Sequence, residues 1–371
     1  MRLSARSSTA SRIASRPTFR TPTRTRCRIV CAFAGALSVG AISACGATDG
    51  DTVFASPQAK GGNGAGSSAG AGTKGGGTGG TGGGNESGGA GGGISVGTPP
   101  GQSECGALGD FVYVVSSAYE LLRFRPKTGE FELIGKIKCP TKGSDSTPFS
   151  MAVDRSGKAW VNYTGTDAGQ IFLVDTATAA CEKSPFDRDY AVGKNWKNYG
   201  MAFVSDGEGG GGEHLYLADA TGFAIGNFGS DKGLARVNSD SGKIEPVGQW
   251  DNATIVKRGG LDLSGRGDGK LFAFVVDGTA SGSPLVAEIG KDDAKILSTA
   301  TQSSLPNAIN AWAFAHWGGS LYLFHSSGVG ANSKVSKYTP GGGTSVVVSS
   351  SKYRIVGAGV STCAPLIEPP A

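Results

Sequence analysis

Apolar and polar positions along this chain fall into a short, recurring pattern. From Phe149 to Tyr163 the residues Phe-Ser-Met-Ala-Val-Asp-Arg-Ser-Gly-Lys-Ala-Trp-Val-Asn-Tyr read as two strands joined by a tight turn. Met151 and Val153 alternate with smaller or polar neighbours, Asp154 to Gly157 carries turn chemistry, and Ala159 to Tyr163 is a second β-rich run. That second run has counterparts at Phe111–Val115, His214–Asp219, Lys270–Val275 and Ser320–His325. The marker aromatics Tyr113, Trp160, Tyr216, Phe272 and Tyr322 are spaced by 47, 56, 56 and 50 residues. A third strand follows each one, at 120–124, 170–174, 233–237, 284–289 and 333–338. Turns rich in Thr, Asp, Ser and Gly come next, and then a fourth strand such as 131–137 or 344–349. Four antiparallel strands every ~50 residues make the blade of a β-propeller. The expected fold class is therefore all-β, a β-propeller of five blades with four antiparallel strands each, or of six if the loop from Gly222 to Lys232 hides strands.

The first strand of each blade explains how the ring closes. Ser150–Val153, Gly200–Phe203, Gly259–Leu263 and Ala311–Phe314 are rich in small residues, because innermost strands crowd around a narrow axis. The blade that begins at Phe111 has no such strand ahead of it. Ile355–Val360, at the far end of the chain, has the same small-apolar alternation, so the C-terminal strand is expected to complete the first blade. Closure of this kind removes sheet edges that would otherwise pair with other chains.

Composition divides the chain into three parts: 1–44 a signal peptide of lipoprotein type, 45–102 a disordered Gly-rich tether, and 103–371 the propeller. The formal charge of +5 invites a nucleic-acid reading until the charge is located. Residues 1–44 hold eight arginines and no acid, which leaves −3 for the remainder and excludes nucleic acid as a partner. The arginine-rich start runs into the uncharged stretch Ile29–Ile42, too short to span a ~30 Å hydrocarbon core and of the length of a signal-peptide apolar segment. After Cys45, glycine fills more than half of positions 61–93, with no side chains large enough to offset the entropy of ordering. A coil of this composition between Cys45 and Ser103 spans roughly 40 Å.

The sequence Ile42-Ser43-Ala44-Cys45-Gly46 resembles the bacterial lipobox. The resemblance implies cleavage before Cys45, diacylglycerol on its sulfur, and a membrane partner through that lipid. An ordinary signal peptide and a Ser/Thr/Arg-rich transit peptide share the composition of the leader, and the placement of Cys45 favours the lipoprotein reading. Four cysteines then remain, Cys105, Cys139, Cys181 and Cys363, an even count that allows three pairings in an exported protein. Ring closure brings Cys105 near Cys363, and Cys139 pairs with Cys181 by elimination.

The blade wording, apolar-Ala-Val-Asp-x-x-Gly-x-apolar-aromatic followed by Ile-Phe-x-Val-Asp-x-x-Thr, is similar to bacterial propellers of the NHL and streptogramin-lyase-like type. Joined to a lipobox and a Gly-rich tether, it also resembles a group of bacterial surface lipoproteins. The lyase depends on histidine and a divalent metal in the channel. This chain has only His214, His316 and His325, with no pair at ligand spacing, which argues against that activity.

Catalytic signatures are sparse. Asp154, Asp175 and Asp206 sit where turns need an Asx residue, so turn chemistry is the first reading and calcium the second. Arg266-Gly267-Asp268 lies in a Gly/Asp-rich hairpin and is read as a turn. No nucleophile elbow and no paired carboxylates emerge, so neither a catalytic residue nor a metal or other cofactor is assigned. Lys197, Lys257, Arg258, Asn310 and Arg354 enter the inner strands, so they are expected to converge on one channel mouth as a candidate site for an anionic small molecule, a glycan or a protein partner. Trp196, Trp250 and Trp312 would supply stacking surfaces there. The expectation is a monomeric, non-enzymatic lipoprotein, exported and anchored to the bacterial cell envelope at the outer membrane or cell surface. The alternative is an extracellular hydrolase or lyase acting on glycan or lactone at the same mouth.

Overall fold

The computed structural model describes residues 106–207, 211–220, 232–277 and 281–370. Within them the chain forms five four-stranded antiparallel sheets. The first blade holds β1 (Val112–Ser116), β2 (Glu120–Arg125) and β3 (Glu130–Lys136), and the second runs through β4 (Pro148–Val153), β5 (Lys158–Tyr163), β6 (Ile171–Asp175) and β7 (Cys181–Lys183). Blade three is β8 (Tyr199–Ser205), β9 (Glu213–Asp219), β10 (Leu234–Val237) and β11 (Ile244–Gly248), and blade four is β12 (Gly259–Gly265), β13 (Leu271–Asp277), β14 (Leu285–Ile289) and β15 (Ile296–Thr301). Blade five is β16 (Ala311–Trp317), β17 (Ser320–Ser326), β18 (Lys334–Thr339) and β19 (Gly343–Val348). The last strand, β20 (Ile355–Gly359), pairs antiparallel with β1, Tyr113 opposite Gly359, and closes the ring as its composition predicts. Most of the loop that would have supplied a sixth blade lies outside the described residues.

The inner strands β20, β4, β8, β12 and β16 pack each against the next around one axis. Small residues there are a steric requirement. A Cβ on Gly200 would lie 2.5 Å from the Asp262 Cα, and one on Gly265 would lie 2.0 Å from the Phe203 carbonyl oxygen. Burial falls from axis to rim: every residue of β8, β12 and β16 is buried, whereas β3 and β19 alternate between exposed and half-buried. Between blades the large side chains interdigitate, as where Phe124 of blade one meets Phe324 of blade five edge to face at 5.3 Å.

Among the described residues two short α-helices, absent from the sequence expectation, lie between blades. In α1 (Arg188–Gly193) the Asp187 side chain accepts from the Tyr190 N–H, and in α2 (Ala253–Arg258) the Asn252 side chain accepts from the Thr254 and Ile255 N–H groups. Gly259 ends α2 in the left-handed region at φ 71°. Cys139 and Cys181 form a disulfide with Cα atoms 5.0 Å apart, joining the segment after β3 to β7 as expected. Cys363 is also disulfide-bonded, to a partner outside the described residues. Blade five is tied to both flanks of the seam: the Trp317 Nε1–H donates to the Gly109 carbonyl ahead of β1 at 2.9 Å, and the Gly318 N–H to that of Pro365 after β20 at 2.8 Å.

Candidate binding site at the axial mouth

The inner strands of blades one, two, four and five begin around a cavity of about 190 Å³. Phe149 and Ser150 of β4, Leu261 and Asp262 of β12, Ala311 and Trp312 of β16, and Val356 of β20 line it, with Thr147, Thr164, Asn310 and Arg354 at the connecting segments. Two aromatic rings form one side, Phe149 standing edge to face on Trp312 with centroids 6.0 Å apart. Across the rim the Thr147 and Thr164 hydroxyls are bonded to one another at 3.0 Å.

Arg354 is held by three backbone carbonyls and one hydroxyl. Its Nη1 donates to the Ser326 Oγ at 2.9 Å and to the carbonyls of Gly328 at 3.0 Å and Ala331 at 3.1 Å, while Nη2 donates to the Asn310 carbonyl at 3.1 Å. Partial burial lowers its pKa. The guanidinium therefore clamps the loop after β17 to the strand starts, with most of its donors already used.

The floor is Asp262, 2% exposed. Its Oδ1 accepts from the Ser150 Oγ of blade two at 2.8 Å, and its Oδ2 from the Phe314 N–H of blade five at 3.3 Å. Ser150 Oγ in turn accepts from the Met201 N–H of blade three at 3.2 Å, so one carboxyl group ties four blades together. Burial pushes its pKa up from 3.8 to about 7, against the lowering pull of these hydrogen bonds. Below it the His316 N–H donates to the Ser264 Oγ at 2.7 Å, and burial depresses the imidazole to about 3. At the opposite end Arg155 reaches Thr362 Oγ1 at 2.7 Å and Ser205 Oγ at 3.1 Å, and Thr362 Oγ1 donates to Glu213 at 2.7 Å. Burial raises the Glu213 pKa.

Of the residues expected at the mouth, Asn310 and Arg354 line the cavity; Lys197 and Arg258 do not. Lys197 is half-buried just ahead of β8. Lys257 and Arg258 fall in the last turn of α2, and the Arg258 Nη1 donates to the Ser283 carbonyl at 2.6 Å, on its own blade. All three tryptophans are buried in inter-blade cores, and Trp312, in the core between blades four and five with Phe149 packed against it, also lines the cavity, which Trp196 and Trp250 do not. Asp154 and Asp175 accept from their own turns, at Ser156 N (2.9 Å) and Ala177 N (3.0 Å), and Asp206 pairs with His214 at 3.1 Å. In the Arg-Gly-Asp hairpin, Arg266 and Asp268 pair with one another at 2.7 Å. No group of three or more His, Cys, Asp or Glu among the described residues forms a metal site. Sequence reasoning missed Asp262 and Ser150. The available signal was a single acid in the otherwise small and apolar innermost strand Gly259-Gly-Leu-Asp-Leu263.

These observations define a five-bladed β-propeller with an aromatic-walled, acid-floored axial cavity. No protein-family model matches the chain, and no curated protein does. Among solved structures it is similar to an exo-β-1,3-galactanase from Clostridium thermocellum at 15% identity and a TM-score of 0.37, over 63% of this chain and 51% of that one.

Proposed function

We propose that this propeller binds a neutral, polyhydroxylated ligand, a sugar unit of a glycan, in the axial cavity, and that it does so as a non-enzymatic lipoprotein of the cell envelope. One observation carries the binding reading: aromatic faces and uncharged hydrogen-bonding groups line the same small cavity, while its charges are internally committed. Trp312 and Phe149 offer the apolar surface that a sugar ring covers, and Thr147, Thr164 and Asn310 offer hydroxyl and amide groups. The Arg354 guanidinium is directed to Ser326, Gly328, Ala331 and Asn310, which disfavours an anion. Acid–base hydrolysis of a glycosidic bond requires two carboxyl groups about 5–9.5 Å apart. Asp262 is the one carboxyl group among the residues lining the cavity, so binding is favoured over the hydrolase alternative.

The envelope address rests on sequence: the arginine-rich leader, the Ile29–Ile42 run, Cys45 and the Gly-rich stretch, all outside the described residues. The pairing of Cys105 with Cys363 is part of the proposal. Gly109, four residues after Cys105, packs against the Cys363 carbonyl, where a Cβ would approach to 2.7 Å.

The test is binding of the purified chain to an array of neutral glycans, with Trp312→Ala and Thr147→Val alongside. Saturable binding to a neutral sugar that both substitutions weaken supports the reading. Binding to anionic glycans alone, or binding indifferent to both substitutions, overturns it.

A further inference from the structure

The axial cavity is blind. At its floor Asp262 accepts from the Phe314 N–H of neighbouring blade five and from the Ser150 Oγ of blade two, which is not its neighbour in the ring, so the Asp262 and Ser150 side chains meet across the axis. A second tier lies below, His316 N–H to Ser264 Oγ at 2.7 Å between blades five and four. At the far end Arg155 of blade two, Ser205 and Glu213 of blade three, and Thr362 after β20 share hydrogen bonds of 2.7–3.1 Å. Among the described residues, the Asp262–Ser150 bond is the contact that lies across the path from the mouth along the axis. The volume is small as well: about 190 Å³ lies below the ~300–1,000 Å³ typical of sites for drug-sized ligands and suits one ring.

We infer that the cavity takes the terminal ring of a saccharide end-on, with a hydroxyl of that ring meeting the Asp262–Ser150 floor, and that it does not seat rings internal to a polymer. This rests on the sugar-binding reading above. An internal ring continues in two directions, and a blind cavity has room for one. Trp312 and Phe149 cover one face of the ring, and Thr147 and Asn310 meet its rim hydroxyls where the next unit leaves toward solvent.

The experiment is titration calorimetry on the full chain with D-galactose, D-glucose, D-mannose and N-acetyl-D-glucosamine, each as the monosaccharide and as a linear hexasaccharide. End-on capture predicts one series in which monosaccharide and hexasaccharide bind with dissociation constants within about threefold per molecule, because each chain presents one productive end. Trp312→Ala, and independently the milder Thr147→Val, should weaken both members of that series by roughly tenfold or more. A hexasaccharide that binds more than about tenfold tighter than its monosaccharide reports a groove holding several rings and overturns the end-on inference, leaving the sugar-binding reading intact. No binding in any series overturns both.

Discussion

Replacing Asp262 by Asn tests whether the floor is as dry as its geometry implies. The perturbation keeps size and shape and removes the titration. In the folded protein burial holds this carboxyl near 7, against 3.8 for a solvated aspartate. The native state therefore keeps a proton that the unfolded chain has lost between those values. Its folded pKa is raised, so this group favours folding most at low pH, and that contribution declines as pH rises from about 4 to about 7, by ~1.4 kcal/mol per unit and about 4 kcal/mol in all. Wild-type stability alone would conceal the effect. His316 and His325 are held by burial near 3 and 4, below the usual 6.5, and so destabilise the fold as pH falls through the same window. The difference between wild type and Asp262→Asn removes the histidines. Urea unfolding of both proteins at intervals from pH 4 to pH 8 should show the variant gaining about 4 kcal/mol on wild type across the window. A pH-independent offset of about 1–3 kcal/mol will lie beneath that gain, because the amide presents an N–H₂ to donors in one orientation. A difference that stays flat with pH would show that Asp262 titrates alike in folded and unfolded chains, and the closed, four-blade junction would be refuted.

Other consequences follow from single contacts. The Cys139→Ser, Cys181→Ser double variant should lose about 4 kcal/mol, the loop-entropy value for a separation of 42 residues, and an unchanged urea midpoint would contradict that. Arg354→Met should cost about 2–4 kcal/mol in thermal unfolding because it leaves the carbonyls of Gly328, Ala331 and Asn310 without their donor. Arg354→Lys should not restore the loss, since one ammonium cannot span those acceptors, and full rescue would refute the clamp. Intact mass of the protein extracted from bacterial membranes should match a chain that starts at a diacylated Cys45 and has no free thiol. An unmodified start, or a free thiol at Cys105 and Cys363, would remove the anchor or the second disulfide from the account.

The ring and its seam were legible because they depend on local, repeated chemistry. Aromatics recurring at intervals of 47 to 56 residues mark the second strands, and Ile355–Val360 betrays itself by matching the small-residue strands that the first blade lacks. The site was legible only in part. Asn310 and Arg354 lie directly ahead of inner strands, so blade register alone carries them to the mouth. Arg258 does not follow, because an Asn252 cap and a Gly259 terminator wind the residues ahead of β12 into a helix and turn its side chain toward Ser283. Those capping residues were readable. Trp196 and Trp250 were drawn into inter-blade cores by their apolar area, a tertiary choice that sequence position does not reveal. Asp262 was hidden for a related reason: its partners Ser150 and Phe314 lie 112 and 52 residues away, and only the closed ring brings them together.

The most direct test of the central claim uses the five tryptophans as reporters. Indole ¹⁵N–¹H spectra of the full chain give one resonance per tryptophan, and Trp312→Phe identifies the one at the mouth. On saturation with the sugar selected by titration, the Trp312 indole should move while those of Trp196 and Trp250, enclosed between blades, hold their positions. A bound sugar that shifts other indoles and leaves Trp312 unmoved would place the site elsewhere on the propeller and contradict the account.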